Sequence, residues 1–333
     1  MKKIFTYICM VAMISVTIGH HFLFAEESSI VADNYTLNVK YNDTSKPGDA
    51  VFVRLAFLQT TGQMKKNKFK FADITATLEL YLDEKRLDKA DFYVLQQDSS
   101  AGKTVFLAGI PLSSWWNSKN NYSLKIVYNL PNNNSSSVTL PFALEYKEFV
   151  SETIPLDSRN TSIKTDTSSK RMQQINKLNA ILGTINADHV YQTTAYIPPT
   201  PATRRTSFFA DRRVYKYTDG NSSTSLHYGT DYGIPTGSTV KACASGRVVM
   251  AEDRISTGWS IIIEHLPGLY SLYYHMSELK VTEGDFVEPG TLIGLSGATG
   301  LATGPHLHWE MRLNMAAVNP DYFTTNFTCA DEQ

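Results

Sequence analysis

A two-residue alternation of apolar and polar side chains runs through the first half of the chain and predicts β-strands there. Tyr35–Tyr41 and Ile74–Leu82 place an apolar side chain at every second position. Side chains two residues apart lie on the same face of a strand, so each segment can bury one face. Clusters of Pro, Gly, Asn and Asp separate these segments. About seven short strands between residues 31 and 150 are typical of an immunoglobulin-like β-sandwich.

Residues 151–205 are polar and rich in Ser and Thr, and they contain one predicted helix. Apolar residues recur at steps of three and four between Met172 and Ile185, and Ser168 or Ser169 is a suitable N-cap. We interpret the segment as a linker whose helix docks on a neighbouring domain. Its length permits the domains to be arranged for regulation.

Glycines separate short apolar segments throughout residues 206–325. This pattern predicts a compact, turn-rich β domain. Together with the sandwich and the helical linker, this domain makes the predicted fold class mostly all-β.

The first 25 residues have the pattern of a targeting segment. Lys2 and Lys3 precede an apolar run over Ile4–Ile18, and Leu23-Phe24-Ala25 is a passable cleavage site. The run is shorter than the ~20 residues that a membrane span needs. The pattern favours a cleaved signal peptide over a retained anchor, and therefore an exported protein that is periplasmic, associated with the cell envelope or secreted.

Charge and cysteine content limit the classes of function. The chain has 31 Lys and Arg against 32 Asp and Glu, so it lacks the basic field that nucleic-acid binding uses. Loss of the first 25 residues would leave Cys243 and Cys329. A disulfide between them and two unpaired thiols are equally open, because an exported protein meets oxidising conditions.

The candidate chemistry lies in four histidines and one aspartate. His227 and Asp231 form an H-x-x-x-D pattern, His306 and His308 form H-x-H, and His275 stands alone between them. Residues two or four apart share one face of a strand. Imidazole and carboxylate suit zinc, and a catalytic zinc commonly takes three protein ligands. His227, Asp231 and one ring of the H-x-H pair would supply that set, and the remaining rings could handle protons.

Each pattern alone is weak, but the flanking sequence makes the combination specific. From about residue 206 to 323, the chain resembles the lysostaphin/LytM-type zinc peptidases in motif order and spacing. The segments that carry the resemblance are His227–Ala242, Ala244–Val249, Tyr273–Ser277, Glu283–Gly290 and Gly297–Glu310.

The resemblance implies a β fold with a central groove and one Zn²⁺. It assigns His227, Asp231 and His308 as metal ligands and His275 and His306 as the catalytic pair. The implied activity is a zinc metalloendopeptidase that hydrolyses peptidoglycan peptides, with the cleaved crosslink unspecified.

One departure from the family pattern precedes the first ligand. Ala210 stands where the family usually has glycine, and a polar, Tyr-rich insert follows over Val214–Ser225. Tyr215 or Tyr217 could donate to an oxyanion, and Arg213 could be either a groove residue or a structural one.

Other residues have competing interpretations. For His265, the sequence context favours a structural role over binding a metal ion. Glu310, two positions after His308, either orients a histidine or forms a structural ion pair. For the pair Trp115-Trp116, packing within the fold is favoured over a platform that binds carbohydrate or a protein partner.

Two alternatives to an active endopeptidase are a noncatalytic wall-binding activator and a peptidase kept latent by its N-terminal region. Intact ligand and catalytic positions count against the first. The long linker permits the second, and with it a protein partner or intramolecular regulation.

Overall fold

The computed structural model describes residues 26–32, 35–59, 71–131, 135–325 and 327. The predicted signal peptide and Cys329 lie outside the described residues, so cleavage stays a prediction and the choice between a disulfide and two unpaired thiols stays open. Within the described ranges, no helix combines the length and apolar character needed to cross a membrane.

In its described residues, the front unit, defined as residues 26–144, consists of strands and one short 3-10 helix at Phe71–Asp73. Its strands are β1 (Glu26–Val31), β2 (Tyr35–Tyr41), β3 (Thr44–Ser45), β4 (Ala50–Gln59), β5 (Thr75–Leu82), β6 (Lys85–Asp91), β7 (Tyr93–Asp98), β8 (Lys103–Pro111), β9 (Tyr122–Asn129) and β10 (Ser135–Leu144). They form two five-stranded sheets, in the orders β1-β2-β4-β8-β7 and β3-β10-β9-β5-β6.

Both sheets of the front unit contribute to one hydrophobic core. Leu37 and Leu55 of the first sheet share that core with Leu78 and Leu124 of the second. The predicted alternation is confirmed in β2, whose buried side chains occupy every second position. The two layers agree with a sandwich, and an immunoglobulin topology stays a prediction. Strand β6 has no apolar alternation because it is a charged strand at the sheet edge.

The connector contains strand β11 (Ser151–Pro155) and helices α1 (Ser158–Thr165) and α2 (Ser169–Leu182), one helix more than the sequence predicts. Ser168 caps α2 by accepting from the backbone N–H of Arg171. Asp157 caps α1 in the same way. Helix α1 has no apolar repeat, so periodicity could not reveal it.

The rest of the connector packs closely on the C-terminal sheets. Leu182 of α2 shares a core cluster with Met250 and Leu272. Tyr196 is buried against Phe323, with ring centroids 5.5 Å apart. The connector is therefore part of the folded body rather than a free tether.

The C-terminal region forms three sheets. Its elements are β12 (Arg205–Ser207), β13 (Arg212–Lys216), β14 (Ser222–Leu226), β15 (Gly229–Tyr232), β16 (Thr239–Lys241), β17 (Gly246–Arg254), β18 (Gly258–Leu266), β19 (Leu269–Met276), β20 (Glu278–Leu279), β21 (Phe286–Val287), β22 (Leu292–Leu295), β23 (Leu307–Leu313), β24 (Ala316–Val318) and α3 (Pro320–Thr325). The main sheet runs β12-β15-β23-β19-β18-β17-β21, with β24 beside β23. Strands β11, β13 and β14 form a second sheet, and β16, β22 and β20 form a third. The mostly all-β prediction is confirmed.

Buried contacts join the front unit to the C-terminal region. Phe52 packs edge-on against Phe327, with centroids 4.8 Å apart. Asn319 donates its backbone N–H to Gly48 O at 2.7 Å and its side-chain amide to Asp49 Oδ1 at 2.8 Å. These contacts fix the front unit against the region that carries the candidate site.

Leu182→Ala is expected to lower the free energy of unfolding by about 2–4 kcal/mol, because it leaves a cavity where α2 meets the main sheet. Denaturant unfolding followed by circular dichroism measures the change. Met172→Ala, on an exposed position of the same helix, is the matched control and is expected to have little effect. Equal stability of both variants would contradict the docking of α2.

Candidate active site

Strand pairing brings the predicted ligands together. Strands β15 and β23 are antiparallel, with Asp231 directly opposite His308. On the other side of β23, Tyr274 of β19 lies opposite His308, and its ring stacks on the imidazole at 5.5 Å. His227 lies two residues before the start of β15, and its Nε2 meets the carboxylate of Asp231 and the imidazole of His308. The sheet register thus positions side chains that are far apart in sequence.

Three donor atoms converge at this point. His227 Nε2 lies 3.0 Å from Asp231 Oδ1 and 2.9 Å from His308 Nδ1. His308 Nδ1 lies 2.8 Å from Asp231 Oδ1. Among the described residues, this trio is the group whose His, Asp, Glu or Cys ligand atoms could hold one metal ion.

The outer nitrogens of both histidines have acceptors. His227 Nδ1 is 2.8 Å from Phe208 O, and His308 Nε2 is 2.9 Å from Glu310 Oε1. If both rings are neutral and donate from their outer nitrogens, their inner nitrogens carry lone pairs. These two lone pairs and a carboxylate oxygen then face one another. Such a set is repulsive unless a proton or a metal ion lies between its members, and its N,N,O composition fits zinc.

The electrostatics also favour positive charge here. Burial would raise the pKa of Asp231, but hydrogen bonds from His227 and His308 hold it well below its usual range. Burial would lower the pKa of His308, but Asp231 and Glu310 on its two sides raise it to about 9. Both carboxylates thus stay ionised although they are buried, and positive charge is favourable at the imidazoles beside them.

Arg213 fixes the second oxygen of the candidate ligand carboxylate. Its Nη2 lies 3.1 Å from Asp231 Oδ2, and its Nε donates to Glu152 Oε1 at 2.7 Å. Oδ1 is thereby left to face the histidines. The sequence left Arg213 open between two roles, and the structure gives it a positioning contact.

Glu310 and Arg312 continue the polar row along β23. Glu310 is buried, and its Oε2 accepts from Arg312 Nε at 2.7 Å while Oε1 accepts from His308. Both interpretations of Glu310 therefore hold, because its carboxylate orients His308 and also pairs with Arg312.

The predicted catalytic pair lies beside the donor trio. The rings of His275 and His306 have centroids 4.7 Å apart, and His306 Nε2 is 3.8 Å from Asp231 Oδ1. His275 Nδ1 donates to Thr299 O, and His306 Nδ1 donates to Gly304 O, each at 2.8 Å. These bonds leave Nε2 of each neutral ring as the nitrogen with a lone pair.

Burial keeps the predicted catalytic pair neutral. It lowers the pKa of His275 to about 3, with added repulsion from His306 and His308, and it also lowers the pKa of His306. His275 adopts a φ of +62°, a strained conformation for a residue with a Cβ. Such strain is common where a side chain must be aimed precisely at a site.

The remaining sequence candidates lie outside the cluster. Tyr215 has its hydroxyl against Arg213, and Tyr217 pairs with Ser223, so neither contacts the histidines in this structure. His265 is fully buried and bonds Ser245 O and Ser271 Oγ, each at 2.7 Å, which fits the structural role.

Ala210 reproduces the conformation that glycine favours. It has a φ of +64°, and its N–H donates to His227 O at 2.7 Å. The departure from the family sequence therefore keeps the backbone turn that supports the first ligand, at the expense of some strain.

Helix α1 contacts two parts of the C-terminal region, the loop that precedes β23 and the β13–β14 hairpin. Asn160 is only 2% exposed, and its Nδ2 donates to Ala302 O at 3.3 Å. Thr161 Oγ1 accepts from Thr218 N in the turn between β13 and β14, and Lys164 lies over the ring of Tyr215 at 4.3 Å. Sequence reasoning missed these contacts because they depend on long-range packing.

Residues 225–320, which include the whole cluster, match the family model of peptidase family M23. Residues 225–320 are called the M23 domain below because of this match.

Two curated relatives show the range of similarity. The chain is 42% identical over 95 residues to the DD-carboxypeptidase/endopeptidase Mpg of Neisseria meningitidis, across 28% of this chain and 22% of that protein. It is 34% identical over 134 residues to the peptidoglycan DD-endopeptidase ShyA of Vibrio cholerae, across 40% and 30% of the two chains. The matches thus span less than a third of these relatives.

A solved structure extends the likeness in fold beyond the M23 domain. A Pseudomonas aeruginosa protein assigned to peptidase M23 superposes with a TM-score of 0.52 at 19% identity, across 85% of this chain and 96% of that one. At this identity the match concerns the fold alone.

Glu310→Gln is expected to weaken zinc affinity by about ten- to a hundredfold, because loss of the carboxylate charge loosens the orientation of His308. Competition with a chromophoric chelator measures the affinity independently of activity. Glu288→Gln changes an exposed carboxylate and is the matched control. Equal affinities of the two variants, with folding preserved, would contradict a positioning role for Glu310.

Proposed function

We propose that the protein is a zinc-dependent endopeptidase that hydrolyses peptide crosslinks of peptidoglycan outside the cytoplasm. The convergence of His227, Asp231 and His308 beside a second histidine pair is the observation that carries the proposal. Similarity to relatives named as endopeptidases, one of them a peptidoglycan DD-endopeptidase, supports the substrate class.

Some of the residues present would hold a metal ion, and others would transfer protons. His227 Nε2, Asp231 Oδ1 and His308 Nδ1 would hold the ion. When bound, zinc supplies a Lewis acid that polarises a carbonyl and makes a neighbouring water more acidic. The neutral Nε2 of His306 or His275 can accept a proton from the attacking water and return it to the leaving amine. Backbone carbonyls at Nδ1 keep both rings in that tautomer.

The noncatalytic alternative is disfavoured by the complete residue set. A wall-binding module would need neither the aimed histidine pair nor the outward-donating imidazoles of the donor trio. Retention of both arrangements in one buried cluster supports catalysis.

Purified sacculi incubated with the protein are expected to release uncrosslinked peptides, identified by mass spectrometry. Release should stop with a chelator and return when zinc is restored. His306→Ala should lower the rate by at least about 100-fold while zinc stays bound. His189→Ala, in the connector, is the control.

The endopeptidase proposal would be overturned if the folded, zinc-loaded protein and all its variants released no peptides. This result would have to hold for several wall types that differ in their crosslinks. Equal release by His306→Ala would overturn the assigned proton-transfer role.

A second proposal concerns regulation, because α1 contacts both the loop that precedes β23 and the turn between β13 and β14. Asn160 reaches Ala302 in the loop that also contains Thr299 and Gly304, the acceptors for His275 and His306. We propose that α1 keeps the peptidase latent by restricting access between this loop and the β13–β14 turn.

Asn160→Lys is expected to displace α1, because a longer cation replaces a buried amide, and to raise peptide release by up to about tenfold. The matched control is Ser162→Lys, at an exposed position of the same helix. Release from sacculi, compared at equal zinc content, is the measurement. An unchanged or lower rate in Asn160→Lys, with folding preserved, would contradict latency.

A further inference from the structure

The two adjacent tryptophans of the front unit have different environments. Trp116 packs on Tyr122, with centroids 6.0 Å apart, and borders the front core. Trp115 is 68% exposed. The packing interpretation therefore accounts for Trp116 and leaves a large indole in solvent without a role.

The exposed indole is held in place from the C-terminal region. The guanidinium of Arg212 lies 3.7 Å from the ring of Trp115. The same group donates to Ser114 O at 2.7 Å and to Ser114 Oγ at 3.1 Å. A cation and two hydrogen bonds thus fix the loop that presents Trp115, although burial of the ring would have been the simpler way to stabilise it.

Trp115 borders a cavity of about 250 Å³ between the front unit and the M23 domain. Trp116, Ser113 and Asp88 also line it from the front unit, and Tyr228 and His227 line it from the M23 domain. Tyr228 is 45% exposed, and Arg312 lies 4.7 Å from its ring centroid. The cavity therefore adjoins the loop that carries the first candidate metal ligand.

The lining is mostly apolar and includes aromatic rings and a few polar groups. The concave space contains two exposed rings, those of Trp115 and Tyr228, the hydroxyl of Ser113 and the carboxylate of Asp88. Sites that bind and orient a small ligand have such a combination. A pyranose ring has the complementary surface, because its axial C–H groups form an apolar face that stacks on indole or phenol while its rim carries hydroxyl and amide groups.

We propose that this cavity binds N-acetylhexosamine units of the glycan strand that carries the peptide substrate. The choice of ligand rests on the proposed function, since peptidoglycan peptides are attached to such strands. The shared position of His227 and Tyr228 on one loop supports the choice. A sugar held at Trp115 and Tyr228 would place its attached peptide beside the catalytic cluster.

The test uses β-1,4-linked N-acetylglucosamine tetramer, which contains no peptide. Titration of the full-length protein, followed by intrinsic fluorescence and calorimetry, is expected to show binding that Trp115→Ala weakens by about tenfold. Trp115→Tyr, which retains a stacking face, should recover most of the affinity. Tyr146→Ala removes a ring that is 76% exposed and does not line the cavity, and it should bind like the unaltered protein.

Absence of tetramer binding at millimolar concentration, or equal affinity in Trp115→Ala and Tyr146→Ala, would overturn the inference. Binding needs no hydrolysis, so this result is distinguishable from failure of the proposed function. If sacculi release no peptides but the tetramer binds in a Trp115-dependent way, the glycan site stands and the endopeptidase proposal fails.

Discussion

The register between β15, β23 and β19 is the constraint on which the candidate site depends. It places Asp231 opposite His308 and Tyr274 opposite the same histidine. Along β23, the period of two sends His308 and Glu310 to the polar face and Trp309 into the core. A slip of one residue would exchange these faces, so burial of the core and assembly of the site are enforced by the same pairing.

The buried charges around the donor trio form a row in which the arginines contact the outer carboxylate oxygens. Arg213 binds Asp231 Oδ2, and Arg312 binds Glu310 Oε2. Their inner oxygens are left for the imidazoles of His227 and His308. Buried carboxylates are costly unless every oxygen has a partner. The row therefore pre-orients the donors before any ion binds, which is a condition for tight and selective metal sites.

Local patterns were sufficient to predict much of the fold and the composition of the cluster. Alternation identified β2, and the H-x-H and H-x-x-x-D spacings identified side chains that the sheet brings together. The contact of Arg213 with Glu152 could not be predicted, because it depends on β11 and β13 pairing in parallel across a long separation in sequence. Helix α1 was missed for a related reason. It is polar, and Asn160 is buried only through a tertiary contact with Ala302.

The connections between the front unit and the M23 domain have a mechanical consequence. Asn319 ties the end of the main sheet to Gly48 and Asp49, and Arg212 ties β13 to Ser114. The cavity beside His227 exists only because both units contribute walls to it. Any shift of the front unit would therefore change the cavity, while the donor trio is built wholly within the C-terminal region. The architecture thus places a donor trio that is built within one region directly beside a cavity that both units form.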